Sequence, residues 1–201
     1  MILSTNVILD QLKSYANPYG KMGRLVKEGK LIPLTKGLYE NNANVSGIYL
    51  ANAIYGPSYI SFNYALAYYG LIPEAVYEFT SATTEKKKKK SFNNRFGTFS
   101  YRDVPVDVYQ YGVNIIEEGG YSFMMASKEK ALCDKLYELP PVKNLKELEE
   151  LLFNDMRIDE TEFDSLNRED IYFIAPKYRG DILPPLIEVG ASCSMTLMSQ
   201  A

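Results

Sequence analysis

Apolar positions in the first thirty residues recur at helical spacing. Ser4 or Asn6 caps a first helix carrying Val7, Ile8, Leu12 and Tyr15, which ends before the turn signal Asn17-Pro18. Asn17, with Pro18 at the first helical position, opens a second helix in which Met22, Leu25 and Val26 recur at i, i+3 and i+4, and Gly29 stops it. At about 100° per residue, Lys21, Arg24 and Lys27 span an arc of roughly 120° directed away from that apolar stripe. Residues 31–35 and 38–40 then read as two short strands around Lys36-Gly37, where Gly37 supplies the positive φ of a tight hairpin. A helix, a glycine stop and a β-hairpin make a winged-helix pattern. The polar, turn-rich segment 41–46 marks a boundary, so a winged-helix-like module over residues 1–44 and a body over 45–201 are expected.

In the body, residues 59–60 are strand-like, and Ser61 caps a helix with Tyr64, Ala65, Leu66 and Tyr68 that Gly70 closes before Pro73. Segments 76–82, 95–101, 106–111 and 121–125 have β-type composition and predict a mostly antiparallel sheet. Ser127 caps another helix holding Ala131, Leu132 and Leu136. Asn144 with Glu147 three residues on forms a capping-box signal before Leu145, Leu148, Leu151 and Leu152. Residues 191–201 show no period. The expected fold class is α+β: the winged-helix-like module, a mixed α/β body with a mostly antiparallel sheet, and a helical, acidic C-terminal third.

Composition narrows the chemistry. With 46% apolar and 23% charged residues in 201, the chain can bury a core. No basic n-region leads into an apolar run at Met1, and none of the apolar runs approaches the roughly 18 residues of a membrane span, so a cytoplasmic protein is expected. Cys133 and Cys193 are far apart and form no CxxC pair. Histidine is absent, which removes Ser-His-Asp and Cys-His nucleophiles, His-ligated zinc and the commonest general base. No catalytic residue, metal or organic cofactor is expected, and the chain does not read as an enzyme.

The net charge of −3 conceals regions of opposite sign. Residues 1–40 hold six cations against three carboxylates, net +3, and residues 81–102 hold seven against Glu85, net +6. Residues 138–170 hold eleven acids against four bases, net −7. The run Lys86, Lys87, Lys88, Lys89, Lys90 is followed by Arg95 and by Phe92, Phe96, Phe99 and Tyr101. Like-charge blocks are usually solvated loops, and the aromatic alternation fits strand packing, yet cations interleaved with rings also suit a nucleic-acid backbone and its exposed bases. Asp103 and Asp107 would share one strand face as a nuclease-like metal pair, but Pro105 between them signals a turn and no third ligand is apparent. A P-loop is missing.

The segment Gly23-Arg24-Leu25-Val26-Lys27-Glu28-Gly29-Lys30-Leu31-Ile32-Pro33-Leu34-Thr35-Lys36-Gly37-Leu38-Tyr39 resembles the helix-plus-wing signature of AbiEi-family antitoxins. The resemblance extends through Pro57-Ser58-Tyr59-Ile60-Ser61-Phe62, Ala65-Leu66, Tyr69-Gly70-Leu71-Ile72-Pro73-Glu74 and Ala126-Ser127-Lys128-Glu129-Lys130-Ala131-Leu132-Cys133-Asp134-Lys135-Leu136. It implies a regulator of a bacterial type IV toxin-antitoxin (abortive infection) operon, with double-stranded operator DNA as one partner and a nucleotidyltransferase toxin as the other. The Gly-Ser plus Asp-x-Asp pattern of such toxins is missing here. Most cationic helix stripes are solvated faces, but the wing and the resemblance assign Lys21, Arg24, Lys27, Lys30 and Lys36 to DNA phosphates, while Lys86–Lys90, expected as an exposed loop, and Arg95 add nonspecific phosphate attraction through their charge. A protein-binding module acting through the acidic helices, without specific DNA affinity, is the alternative. A nuclease-like enzyme ranks last.

Overall fold

The chain begins with a strand that helical spacing conceals. β1 (Ile2–Ser4) runs into α1 (Thr5–Gln11), and α2 (Pro18–Lys27) follows before the hairpin of β2 (Ile32–Thr35) and β3 (Leu38–Glu40). The computed structural model describes residues 1–142 and 144–178, so residues 191–201 and Cys193 lie outside the described residues. β1 adds antiparallel to β3, giving a three-stranded sheet in the order β1-β3-β2. Ser4 caps α1 by accepting from Val7 N–H, and Asn17 caps α2 by accepting from Gly20 N–H, each silencing an end-of-helix amide. Leu3, Ile8 and Leu31 form a small core, covered in part by Leu12, Met22, Leu25, Val26 and Tyr39.

The body is a six-stranded mixed sheet in the order β6-β7-β5-β4-β9-β8. α3 (Ala51–Ile54) and β4 (Tyr59–Ile60) lead into α4 (Phe62–Tyr68), then β5 (Glu78–Thr83), β6 (Lys90–Asn94) and β7 (Gly97–Asp103). α5 (Val106–Tyr109), the hairpin β8 (Val113–Glu118) and β9 (Tyr121–Ala126), and α6 (Lys128–Glu138) follow. α7 (Leu145–Glu149) widens into a π-helical turn over Glu150–Asp155, and α8 (Glu160–Asp164) and α9 (Arg168–Ile174) complete the described helices. Three neighbouring pairs are antiparallel, but β5–β7 and β4–β9 are parallel, a feature that period-two patterns do not encode.

Several expectations change: α1 ends at Gln11, short of Leu12 and Tyr15, and the expected strand over 95–101 begins instead at Gly97, after a turn at Arg95 and Phe96. Residues 106–109 form a helical turn, not a strand. Positions two apart share a face in a strand but lie about 200° apart on a helix, so buried Val108 beside 55%-exposed Val106 fits the helical turn, which is too short to show a period in the sequence. Lys90 opens strand β6 instead of ending a loop. Ser61 occupies the cap position of α4 but its hydroxyl does not cap; Thr80 Oγ1 accepts from Tyr64 N–H at 3.0 Å in its place, because Ser61 Oγ is donated to Asp134. Ser127 and Asn144 do cap α6 and α7.

One apolar core spans the body, built from Leu50, Tyr59, Ile60, Phe62, Leu66, Leu71, Phe99, Tyr101, Met125, Leu132 and Leu136 among others. Leu34 of β2 belongs to it, and Asn94 Nδ2 donates to Leu34 O at 3.1 Å, so the hairpin is stitched onto the body at β6. Among the described residues no helix is long and apolar enough to cross a membrane.

Candidate functional site

α2 has no fully buried residue, and Arg24 and Lys27 stand exposed on its outer face. Arg24, Lys27 and Lys36 enter no ion pair among the described residues. Lys21 is half-buried, its ammonium 5.3 Å from the Tyr15 ring centroid, and Lys30 pairs with Glu28 at 2.8 Å. That hydrogen bond holds the Glu28 carboxyl below its ordinary value and Lys30 above its own. The hairpin turn carrying exposed Lys36 is anchored to α1, since Thr5 N–H donates to Gly37 O at 2.9 Å. β2 therefore runs between the end of α2 and Lys36.

The second basic region divides in the same way. Arg95 sits in the β6–β7 turn and lines a groove with Val26, Gly29 and the β2 residues Ile32 and Leu34, so it joins the C-terminal end of α2. Lys87, Lys88 and Lys89 lie at the opposite end of β6, about 17 Å away at the rise of an extended strand. Lys86 turns aside over the Tyr55 ring at 5.4 Å, and Lys90 pairs in register with Tyr101. Thus Lys87–Lys89 form the exposed portion of the run.

These three lysines connect parallel strand β5 to edge strand β6 across the end of β7. Asp103, the last residue of β7, clamps that crossover: Thr83 Oγ1 donates to its Oδ1 at 2.6 Å, and Lys87 N–H donates to its Oδ2. Phe62, Lys87, Lys88, Lys89, Arg102, Asp103, Tyr137 and Glu138 line a cleft of about 330 Å³ there. Arg102 pairs with Glu138 and lies 5.7 Å from the Phe62 ring centroid; Lys89 and Lys135 add ion pairs to Glu138 at 3.9 and 3.6 Å. Phe62 and Lys87, with φ near +55° and +56°, line the same cleft, and left-handed backbone at non-glycine residues is costly.

The chain matches no family model and no curated protein sequence. Site assignment therefore rests on geometry. The Asp103/Asp107 metal pair fails on it: Val104-Pro105 breaks the strand, Asp103 is consumed by the lysine crossover, and Asp107 sits in the first turn of α5. Among the described residues no three metal-ligating side chains converge.

Sequence reasoning passed over a second polar centre. Lys130 and Asp134 of α6 are both fully buried, with Nζ 2.9 Å from Oδ1. Ser61 Oγ and Tyr59 OH donate to Asp134 Oδ2 at 2.6 and 3.0 Å, Tyr178 OH donates to Oδ1, and Lys130 Nζ donates to Tyr178 OH at 2.6 Å. Burial, reinforced by the Asp134 charge, pushes the Tyr59 and Tyr178 phenols well above the ordinary value. Burial also pushes the Cys133 thiol up to about 12, which keeps it protonated and inert near neutrality. The centre ties β4, the start of α4, α6 and Tyr178 together. The available signal was two charged residues four apart inside Ala131-Leu132-Cys133 and Leu136.

Proposed function

We propose that the protein is a DNA-binding antitoxin of the AbiEi kind that its sequence resembles, acting in the cytoplasm as a repressor of its own operon and counteracting a nucleotidyltransferase toxin without catalysis of its own. The observation that carries this reading is α2: a capped helix with a half-covered apolar stripe on one side, exposed and unpaired Arg24 and Lys27 on the other, followed directly by a hairpin braced on α1. Helix and hairpin in that order support a winged-helix mode of groove binding. Arg95 extends the cationic surface beyond the C-terminal end of α2. Lys30 contributes less than its exposure suggests, because Glu28 neutralises it.

A second reading is protein binding without specific DNA affinity. Exposed Glu149, Glu150, Asp155, Glu160 and Asp170 on the C-terminal helices favour it. A mobility shift on the duplex upstream of the gene and on random duplex, at several salt concentrations, separates the two. Operator preference that Arg24→Ala and Lys27→Ala abolish supports the antitoxin-repressor reading. Equal, weak binding of both duplexes by the parent protein overturns it.

A further inference from the structure

We propose that the cleft at the end of β7 binds the terminal phosphate monoester of a nucleotide, a site separate from the duplex-facing surface of α2. Three features of the cleft agree on this ligand.

The first is charge. Lys87, Lys88, Lys89 and Arg102 line it against Asp103 and Glu138, an excess of two cations that matches a phosphate dianion. Both carboxylates are already engaged, Asp103 by the crossover and Glu138 by Arg102, Lys89 and Lys135, so neither repels an incoming anion unscreened.

The second is preorganisation. Glu138 and the Phe62 ring hold the Arg102 guanidinium, whose five N–H donors exceed what one carboxylate consumes. Asp103 fixes Lys87 through its backbone N–H, which leaves the lysine ammonium free of that duty. Ordering costs that a floppy lysine run would incur on binding are thereby reduced.

The third is shape. About 330 Å³ falls in the range of small-ligand pockets, with Tyr137 in the wall and Phe62, 1% exposed, in the floor. Arg102, with 27% of its side chain exposed, is recessed. The convex backbone of a duplex does not reach a recessed guanidinium, whereas a single phosphate with a planar base beside Tyr137 does.

Titration calorimetry of the full chain in 150 mM salt, with AMP, inorganic phosphate and adenosine as probes, tests the site. AMP is expected to bind at least tenfold more tightly than either part alone. Arg102→Gln should weaken AMP at least tenfold, and Lys88→Ser, at an exposed position that folding does not need, should weaken it several-fold. Arg24→Ala, on α2 and outside the cleft, should leave AMP binding unchanged. A 5′-phosphorylated trinucleotide and its 5′-hydroxyl counterpart identify the source: tighter binding of the phosphorylated oligomer than of AMP assigns a nucleic-acid end, and the reverse assigns a free nucleotide. Absence of AMP and phosphorylated-oligomer binding up to millimolar concentration overturns the proposal. So does AMP affinity equal to that of adenosine, or affinity unchanged in Lys88→Ser.

Discussion

The ammonium of Lys130 lies 2.9 Å from Asp134 Oδ1, one helical turn away on α6, with neither side chain exposed to solvent. Two charges sealed in an apolar core persist only if every polar atom is partnered, and here Ser61, Tyr59 and Tyr178 complete the set. Asp134→Ala should cost about 3–5 kcal/mol, because it strands a buried ammonium and deprives three hydroxyls of their acceptor. The double variant Lys130→Met with Asp134→Asn removes both charges and should cost less than Asp134→Ala alone. Urea denaturation measures both; a loss under about 1 kcal/mol for Asp134→Ala would show that the pair is not sealed.

Alkaline pH should attack the same region. Cys133 and Tyr109 are each raised to about 12, and Tyr59 and Tyr178 move in the same direction, all with burial as the leading cause. A raised acid keeps its proton longer in the folded chain than in the unfolded one, so its contribution is fully present below the unfolded pKa of about 9 to 10 and is lost as pH climbs toward 12. The midpoint of urea unfolding should hold from pH 7 to 9 and fall steeply between pH 10 and 12. A flat profile across that window would refute the burial of these groups.

The caps of α6 and α7 were legible in sequence because Ser127 and Asn144 act on amides three residues away, a purely local event. The mixed α+β class followed from similar local signals. The parallel pairing of β5 with β7 was not, since it depends on an excursion of the chain through β6, whose Lys90-Ser91-Phe92-Asn93-Asn94 is too polar to announce a strand. The cleft was hidden for the same reason. Phe62, Lys87–Lys89, Arg102 and Glu138 come from four separate stretches, and only the crossover over β7 assembles them. Lys130 and Asp134 sat in plain view at helical spacing, but charged residues default to a solvated reading.

Two glycines should respond to alanine with opposite signs. A Cβ at buried Gly47 would lie 2.8 Å from the Phe96 carbonyl oxygen and inside contact of the Phe79 ring, which is itself stacked on Phe99. Gly47→Ala should cost about 1–3 kcal/mol through overpacking. Gly23, in the middle of α2, has open space around the same position. Gly23→Ala should therefore gain about 1 kcal/mol from helix propensity. Thermal melting of the two variants checks the pair, and a stabilising Gly47→Ala would mean that the Phe79 environment is looser than its contacts indicate.

The last prediction separates the two basic regions by their salt dependence. Arg24 and Lys27 are exposed on α2 and enter no ion pair among the described residues, whereas Lys87–Lys89 lie at the end of β6 opposite Arg95, which lines a groove with Val26 and Gly29. Each phosphate contact releases counterions and contributes about 0.9 to the slope of log K against log salt. If α2 lies along a groove, replacing both Arg24 and Lys27 by Ala should lower the operator slope by about 1.8 and reduce operator affinity more than random-duplex affinity. Replacing Lys87, Lys88 and Lys89 by Ser should act differently. Charges that attract a duplex only through the general field weaken operator and random DNA by the same factor, so the ratio of the two affinities should not move. Sites this far apart without shared partners should also combine additively, within about 0.5 kcal/mol, in the five-fold variant. A slope unchanged by the Arg24 and Lys27 replacements would remove α2 from the interface. A preference ratio that collapses in the lysine triple variant would instead place sequence recognition at the end of β7.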